Sequence, residues 1–137
     1  MFWGCFTYDK KGPCHVYKPE TRVERASAAQ TISQLNAELE PVMRAEWELN
    51  TAMKRTGLRA KPGKKPVWRW IEKTGKLVRS SRGGIDWWRY QTCVLLPKLI
   101  PFAKVREQDR PGTVVMEDKA PAHVHHYQNV VYSLYHV

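Results

Sequence analysis

The sequence predicts an α/β protein, because strand-like and helix-like patterns alternate along it. Residues 2–8 are dense in aromatic side chains and, with residues 14–17 beyond a Gly-Pro turn, have the pattern of a β-hairpin. Apolar residues then recur at helical spacing over residues 21–54. A continuous apolar run at residues 113–116 is typical of a strand buried on both faces, and a further helical pattern follows it.

The first predicted helix carries its own start signal, since Thr21 and Glu24 have the spacing of a capping box. Pro41 lies inside the pattern and predicts a kink or a restart there. The apolar face of this helix favours packing within the domain. A coiled coil with a partner helix is the alternative, although the heptad run is short.

Acidic and proline residues mark two later helices. Asp86 is a candidate cap for a helix over residues 87–105, which Pro97 and Pro101 are expected to bend or divide. Pro121 suits the first turn of a final helix.

Length and composition exclude several classes of protein. The 137 residues are enough for one domain. No apolar run approaches the ~20 residues of a membrane-spanning helix. The first residues lack the basic lead of a signal peptide, so we expect a nuclear or cytoplasmic protein that is not secreted. The three cysteines form no CxxC pair and are expected to be core residues.

The positive charge is concentrated in one stretch of the chain. Residues 54–82 contain eleven basic residues and one acidic residue, and the rest of the chain is balanced, so this stretch carries the net charge of +10. Such a concentration predicts a polyanionic partner, with nucleic acid as the first inference. The alternative is a solvated insertion.

Two tryptophans lie within the basic stretch and alternate with a cation. Trp68 and Trp70 flank Arg69, and the pattern suggests a short hairpin that turns at Thr74-Gly75. Cations among indoles suit a phosphate backbone with unstacked bases. The same alternating pattern is equally consistent with a packing role, in which the tryptophans pin a surface ribbon to the core. The predicted nucleic-acid-binding residues are Lys61, Lys64, Lys65, Arg69, Lys73 and Lys76.

Asp118 is the main candidate for chemistry, because it stands where the predicted buried strand ends and a helix begins. In open α/β sheets, ligands and metals collect at that edge. The competing interpretation is a turn residue. Glu117 should point to the opposite face of the strand. A metal site made by His123, His125 and His126 is disfavoured, since adjacent residues do not share a helix face.

Several motifs occur in a recognisable order. Trp3-Gly4-Cys5-Phe6, followed by Lys11-Gly12-Pro13, resembles a strand and turn of the DDE transposases of the Tc1/mariner superfamily. The insertion that carries Lys18 to Thr21 and the basic ribbon is similar to that of fungal members. Residues 84–90 and 95–102, which lie between the Trp3 motif and the next, resemble the helix that precedes the strand of the second catalytic acid in that family. Asp118-Lys119-Ala120-Pro121-Ala122-His123 is similar to its second catalytic motif, Asp-Asn-Ala-Pro-x-His.

The resemblance implies that residues 1–137 are one truncated catalytic domain with a partial RNase H-like fold, a mixed sheet with flanking helices. A helix over residues 21–54 and a basic ribbon over residues 54–84 would be inserted into it. In this family three acids hold two divalent metals, Mg²⁺ or Mn²⁺, that promote DNA cleavage and strand transfer. Asp118 matches the second acid and would be both a catalytic residue and a metal ligand. Intact members imply DNA as partner, homo-oligomers and a nuclear location.

The family's first and third acids have no counterpart in this sequence, and Lys119 replaces the family's Asn. A cation beside the metal ligand weakens metal binding. We therefore expect a DDE endonuclease fragment that is inactive by itself. The alternatives are a non-catalytic basic nucleic-acid-binding module and a decayed transposon remnant.

Overall fold

The computed structural model describes residues 1–56 and 63–137 and divides the chain into two compact units. The hairpin unit comprises Met1–Glu20 and Arg79–Val137, and the long-helix unit comprises Thr21–Val78.

The hairpin unit begins with two antiparallel strands, β1 (Phe2–Phe6) and β2 (Lys11–Val16). Phe2 lies opposite Val16, and the register shifts between Gly4 and Phe6. The backbone N–H of Thr7 donates to the carbonyl of Lys10 at 2.8 Å and closes the turn. The predicted hairpin is confirmed.

The central helix of this unit, α2, consists of three consecutive pieces. An α-helical turn, Trp87–Tyr90, leads into a π-helix, Gln91–Leu99, and then into an α-helix, Ile100–Asp109. Asp86 caps it by accepting the N–H of Arg89 at 3.0 Å, which confirms the predicted cap. The prolines do not divide the helix. The wider π-helical turns surround Pro97, which has no N–H to donate.

The core of the hairpin unit is built mainly from α2. Buried side chains at Tyr90, Leu95 and Ile100 recur at a spacing of five, which matches the hydrogen-bonding period of a π-helix. Trp3 and Cys5 of β1 pack against this cluster together with Val115. The hairpin and residues 113–117 therefore rest on the same helix.

The last helix, α3 (His126–Tyr135), begins later than Pro121 predicts. His125 caps it, since the ring Nδ1 accepts the N–H of Tyr127 at 3.3 Å. Val131 of its predicted apolar stripe is buried, whereas Leu134 is exposed.

A charged cluster joins the two chain segments of the hairpin unit. The guanidinium of Arg79 donates to both carboxylate oxygens of Glu20, at 2.8 and 3.1 Å, and to Asp86 at 2.7 Å. All three side chains are less than one fifth exposed. The paired geometry of a guanidinium with a carboxylate makes this contact specific as well as strong.

The prediction of a mixed RNase H-like sheet is wrong. The described residues are mostly helical, and their sheet has two strands. Residues 113–116 do not form the expected buried strand, because half of the apolar run faces solvent. Val114 is 78% exposed and Met116 is 91% exposed. An apolar run in the sequence does not show whether a neighbouring strand covers it.

The long-helix unit contains one continuous helix, α1 (Arg22–Thr56). Thr21 and Glu24 form the predicted capping box. The N–H of Glu24 donates to the Thr21 hydroxyl at 3.2 Å, and the N–H of Thr21 donates to the Glu24 carboxylate at 2.7 Å. The helix does not restart at Pro41, which is on an exposed side where water can satisfy the carbonyl that its ring leaves unpaired.

Residues 63–77 contain a short 3₁₀-helical turn, Glu72–Thr74, rather than the predicted hairpin. The turn forms because Gly75 adopts the left-handed conformation, with φ of 114°, but no strands flank it. The segment is held by contacts with α1. The side-chain amide of Asn36 bonds to both backbone groups of Leu77, at 2.8 and 2.9 Å, and Gly75 lies close to Met43.

Candidate functional site

Asp118 lies in an irregular segment, and its side chain is 76% exposed. One carboxylate oxygen, Oδ1, is 2.7 Å from Nδ1 of His123 and accepts the backbone N–H of Ala120 at 3.2 Å. The second contact is typical of an Asx turn. The His123 ring in turn packs on Tyr90, with ring centroids 4.1 Å apart. The carboxylate and the imidazole therefore form a pair at the surface.

The side chain of Glu117 is half-buried, in contrast to that of Asp118, and accepts hydrogen bonds from two tyrosines. Its Oε1 accepts the Tyr90 hydroxyl, and its Oε2 accepts the Tyr132 hydroxyl at 2.6 Å. Burial raises the pKa of Glu117, while the Tyr132 hydrogen bond and the charge of His123 oppose the rise. Burial also raises the pKa of Tyr132. Such a carboxyl group can hold a proton nearer to neutral pH than an exposed one.

Glu117, Asp118 and His123 border an open cleft of about 690 Å³. Residues 2–7 and Asp9 line one side of it, and residues 113, 114 and 116–118 line another. Leu99, Arg106 and Arg110 complete its surface together with His123. The cleft thus combines an apolar lining with three carboxylates, Asp9, Glu117 and Asp118, and two guanidiniums.

The donor groups around Asp118 fit a divalent metal poorly. Mg²⁺ takes near-octahedral oxygen ligands. Asp118 Oδ1 is already engaged, and both oxygens of Glu117 accept tyrosine hydroxyls. Across residues 1–56 and 63–137, no three His, Cys, Asp or Glu side chains gather closely enough to hold a metal ion.

His125 is placed for packing. Its ring stacks on Trp87, with centroids 4.6 Å apart and planes 11° apart. Burial, and secondarily the charge of His126, lowers the pKa of His125 to about 4. The ring is therefore neutral at pH 7, which suits its role as a cap that accepts the N–H of Tyr127.

Three indoles of the long-helix unit form a continuous aromatic group, here the tryptophan surface: Trp47, Trp68 and Trp70. Trp68 meets Trp47 of α1 edge-on, with ring centroids 5.5 Å apart, and stacks with Trp70 at 5.9 Å. All three side chains are half-buried. The inner pair pins the segment to α1, as the packing interpretation expects. Trp70 lies at the outer end of the stack and is half-buried, so part of its surface is accessible.

Five predicted nucleic-acid-binding residues accompany these rings: Lys64, Lys65, Arg69, Lys73 and Lys76. The first four are exposed, and Lys76 is half-buried. None of the five makes an ion pair with a residue that the structure describes. The sixth, Lys61, lies outside the described residues. The five cations are thus available to an external anion.

The sequence did not identify Trp47, Tyr90 or Tyr132 as members of these groups. A signal for Trp47 exists, since it is an indole between two glutamates in the polar half of the helix. The tyrosines carry no such signal, because the fold alone brings them to Glu117.

No family model, curated protein or solved structure matches the chain. In the described part of the chain, no helix is long and apolar enough to cross a membrane.

Proposed function

We propose that the protein binds nucleic acid through the tryptophan surface and its five accompanying cations, with a preference for single strands. The observation that carries this proposal is the stack of Trp68 and Trp70 in a segment whose cations make no ion pair with any described residue. Base stacking on an indole requires an unpaired base, and the phosphates supply the anionic partner.

The electrostatic part of the proposal is tested by a triple substitution, Lys64→Gln, Lys65→Gln and Lys73→Gln. The matched control removes the same charge elsewhere, by Lys11→Gln, Lys18→Gln and Lys119→Gln, which are exposed residues of the hairpin unit. Both proteins have the same net charge. A difference between them therefore reports a local surface and not general attraction.

Binding to a fluorescent oligothymidine is followed by anisotropy over a range of salt concentrations. Each lost phosphate contact lowers the slope of log affinity against log salt by about 0.7 for a single strand, so the triple variant should lose about 2 units. The control should keep the parent slope. Equal losses in both variants would contradict the proposal, as would tighter binding to a duplex of the same length.

A second candidate function is the transposase ancestry that the motifs suggest. Its support is that Asp118 and His123, the ends of the resembling motif, lie 2.7 Å apart beside a cleft. We propose that such a relative, in this form, binds DNA without cutting it. Nicking of supercoiled plasmid in Mg²⁺ or Mn²⁺ tests this, and activity that Asp118→Asn abolishes would overturn it.

A further inference from the structure

Among the residues that the structure describes, no strand pairs with the edge of β1 that faces the cleft. The N–H of Tyr17 donates to the carbonyl of Met1 at 2.9 Å, so residue 1 is hydrogen-bonded to β2. Because pairs alternate along an antiparallel ladder, the backbone groups of Phe2 and Gly4 point away from β2. Residues 2–7 line the cleft. β1 therefore presents unpaired donors and acceptors there.

The opposite side of the cleft is strand-like without being part of a sheet. Residues 113–118 alternate between half-buried and exposed, which is the two-residue period of a strand. In the described part of the chain, the backbone groups of residues 114–118 have no hydrogen-bond partner. This segment and β1 thus flank one cleft with unpaired backbone on both sides.

Both sides lie in the same layer over α2. Trp3 and Cys5 of β1 and Val115 of the opposite segment pack against the same buried cluster. The side chains that point away from it are large and apolar: Phe2, Phe6, Val114 and Met116 are each more than 65% exposed. Exposed apolar side chains along two open edges are typical of a surface that another strand covers.

The size of the cleft agrees with one strand. Five residues extend over roughly 17 Å, and with strands about 4.8 Å apart and layers about 10 Å apart they fill on the order of 800 Å³. The cleft holds about 690 Å³. A second cleft of about 660 Å³ borders the far side of residues 113–117, but helical residues 103–108 line it, and their backbone is already paired.

The charges of the cleft favour a basic strand. Three carboxylates, Asp9, Glu117 and Asp118, line the cleft against two guanidiniums, Arg106 and Arg110, and Arg106 is paired with Asp109. The lining therefore carries one more carboxylate than guanidinium, and Asp118, 76% exposed, is its accessible carboxylate beside His123. A lysine or arginine on the incoming strand would meet these carboxylates.

We propose that this cleft binds an extended, apolar peptide segment of another protein, about five residues long and carrying a lysine or arginine, by adding it as a strand between β1 and residues 113–118. Main-chain hydrogen bonds to both edges supply affinity, and the carboxylates of the lining, chiefly Asp118, select the charge. This site is independent of nucleic-acid binding by the long-helix unit.

The probe is an acetylated and amidated heptapeptide, Val-Thr-Val-Lys-Val-Thr-Val, titrated calorimetrically into the full chain. Two control peptides change one feature each: the first is N-methylated at alternate residues, and the second has Glu in place of Lys. The N-methylated peptide should bind at least about tenfold more weakly, because it loses main-chain donors. The Glu peptide should bind about threefold more weakly, since the carboxylates repel it.

A protein variant tests the β1 edge directly. Gly4→Pro removes an N–H that points into the cleft and leaves the bonds to β2 intact, whereas Gly4→Ala keeps it. We expect the Gly4→Pro variant to bind the parent peptide about tenfold more weakly than the Gly4→Ala variant does. If Gly4→Pro does not fold, the peptide controls decide alone.

Three results would overturn the proposal. The first is no binding of the parent peptide up to about 1 mM. The second is equal binding of the N-methylated peptide. The third is a dimer of this chain, seen by sedimentation, that occupies the cleft and excludes the peptide.

Discussion

The basic side chains of the two units differ in what they contact. In the hairpin unit, Arg79 pairs with two carboxylates, Arg106 pairs with Asp109, and Lys98 donates to the carbonyl of Cys14 at 2.6 Å. In the long-helix unit, the five cations that accompany the tryptophan surface have no ion pair with a described residue. These arginines and Lys98 hold segments of the hairpin unit together, whereas the cations beside the tryptophan surface are available for a partner, although Arg44 of the same unit pairs with Glu48. A count of charges along a sequence cannot make that distinction.

The largest expected difference is in stability. Arg79→Ala leaves Glu20 and Asp86 buried without a counter-charge, and breaking such a cluster costs about 3–5 kcal/mol. Lys73→Ala, on an exposed cation, should change the free energy of unfolding by no more than about 0.5 kcal/mol. Urea unfolding followed by circular dichroism measures both. Similar losses in the two variants would remove the contrast between the units.

A pH dependence should come from His125. Its pKa falls from 6.5 to about 4 on folding, mainly through burial, so the unfolded chain binds the proton more tightly. Stability is therefore fully present above pH 6.5 and is lost as the pH falls towards 4. The loss is below about 3 kcal/mol, because solvent still reaches part of the ring.

His125→Asn keeps a capping side chain and removes the titration. Urea midpoints measured between pH 4 and 6.5 should depend less on pH in this variant than in the parent. An unchanged slope would show that other groups control the acid sensitivity.

The tryptophan surface gives a smaller effect, on binding alone. Trp70→Ala should weaken the binding of an oligothymidine by about 1–3 kcal/mol, which is the contribution of one stacked base. Trp70→Phe, which keeps an aromatic face, should retain most of the affinity. Anisotropy at one low salt concentration is sufficient. Equal weakening by both substitutions would indicate a packing role for this ring.

The smallest effect is expected for divalent metal at Asp118. A ligand present at its dissociation constant stabilises a protein by only about 0.4 kcal/mol. With one exposed carboxylate oxygen left unengaged, Mg²⁺ should shift thermal unfolding of the parent and of Asp118→Asn equally. A shift confined to the parent would establish Asp118 as a metal ligand.

Local features of the fold were predictable from neighbouring residues. The capping box at Thr21, the cap at Asp86 and the first hairpin depend on contacts within a few residues, and all three are present. The expected strand at residues 113–116 depends on a distant partner, and it is absent from the described sheet. The transposase resemblance carried that expectation of a mixed sheet, which the short motifs could not support alone.

The acidic site was predictable in part. Alternation correctly places Glu117 and Asp118 on opposite sides, the first half-buried and the second exposed. The alternation did not identify Glu117 as a site residue, because Tyr90 and Tyr132 contact Glu117 only in the folded chain. Which cations lack an internal partner is likewise a property of the fold.

The contact between Arg79 and Glu20 has a further consequence for how the gene can change. Glu20 and Arg79 directly flank residues 21–78, so their ion pair holds together the two ends of that segment. The entropy lost in closing a loop grows only with the logarithm of its length. Residues 21–78 are therefore exchangeable: a longer, shorter or unrelated segment joined at the same two points would leave the hairpin unit nearly as stable as before.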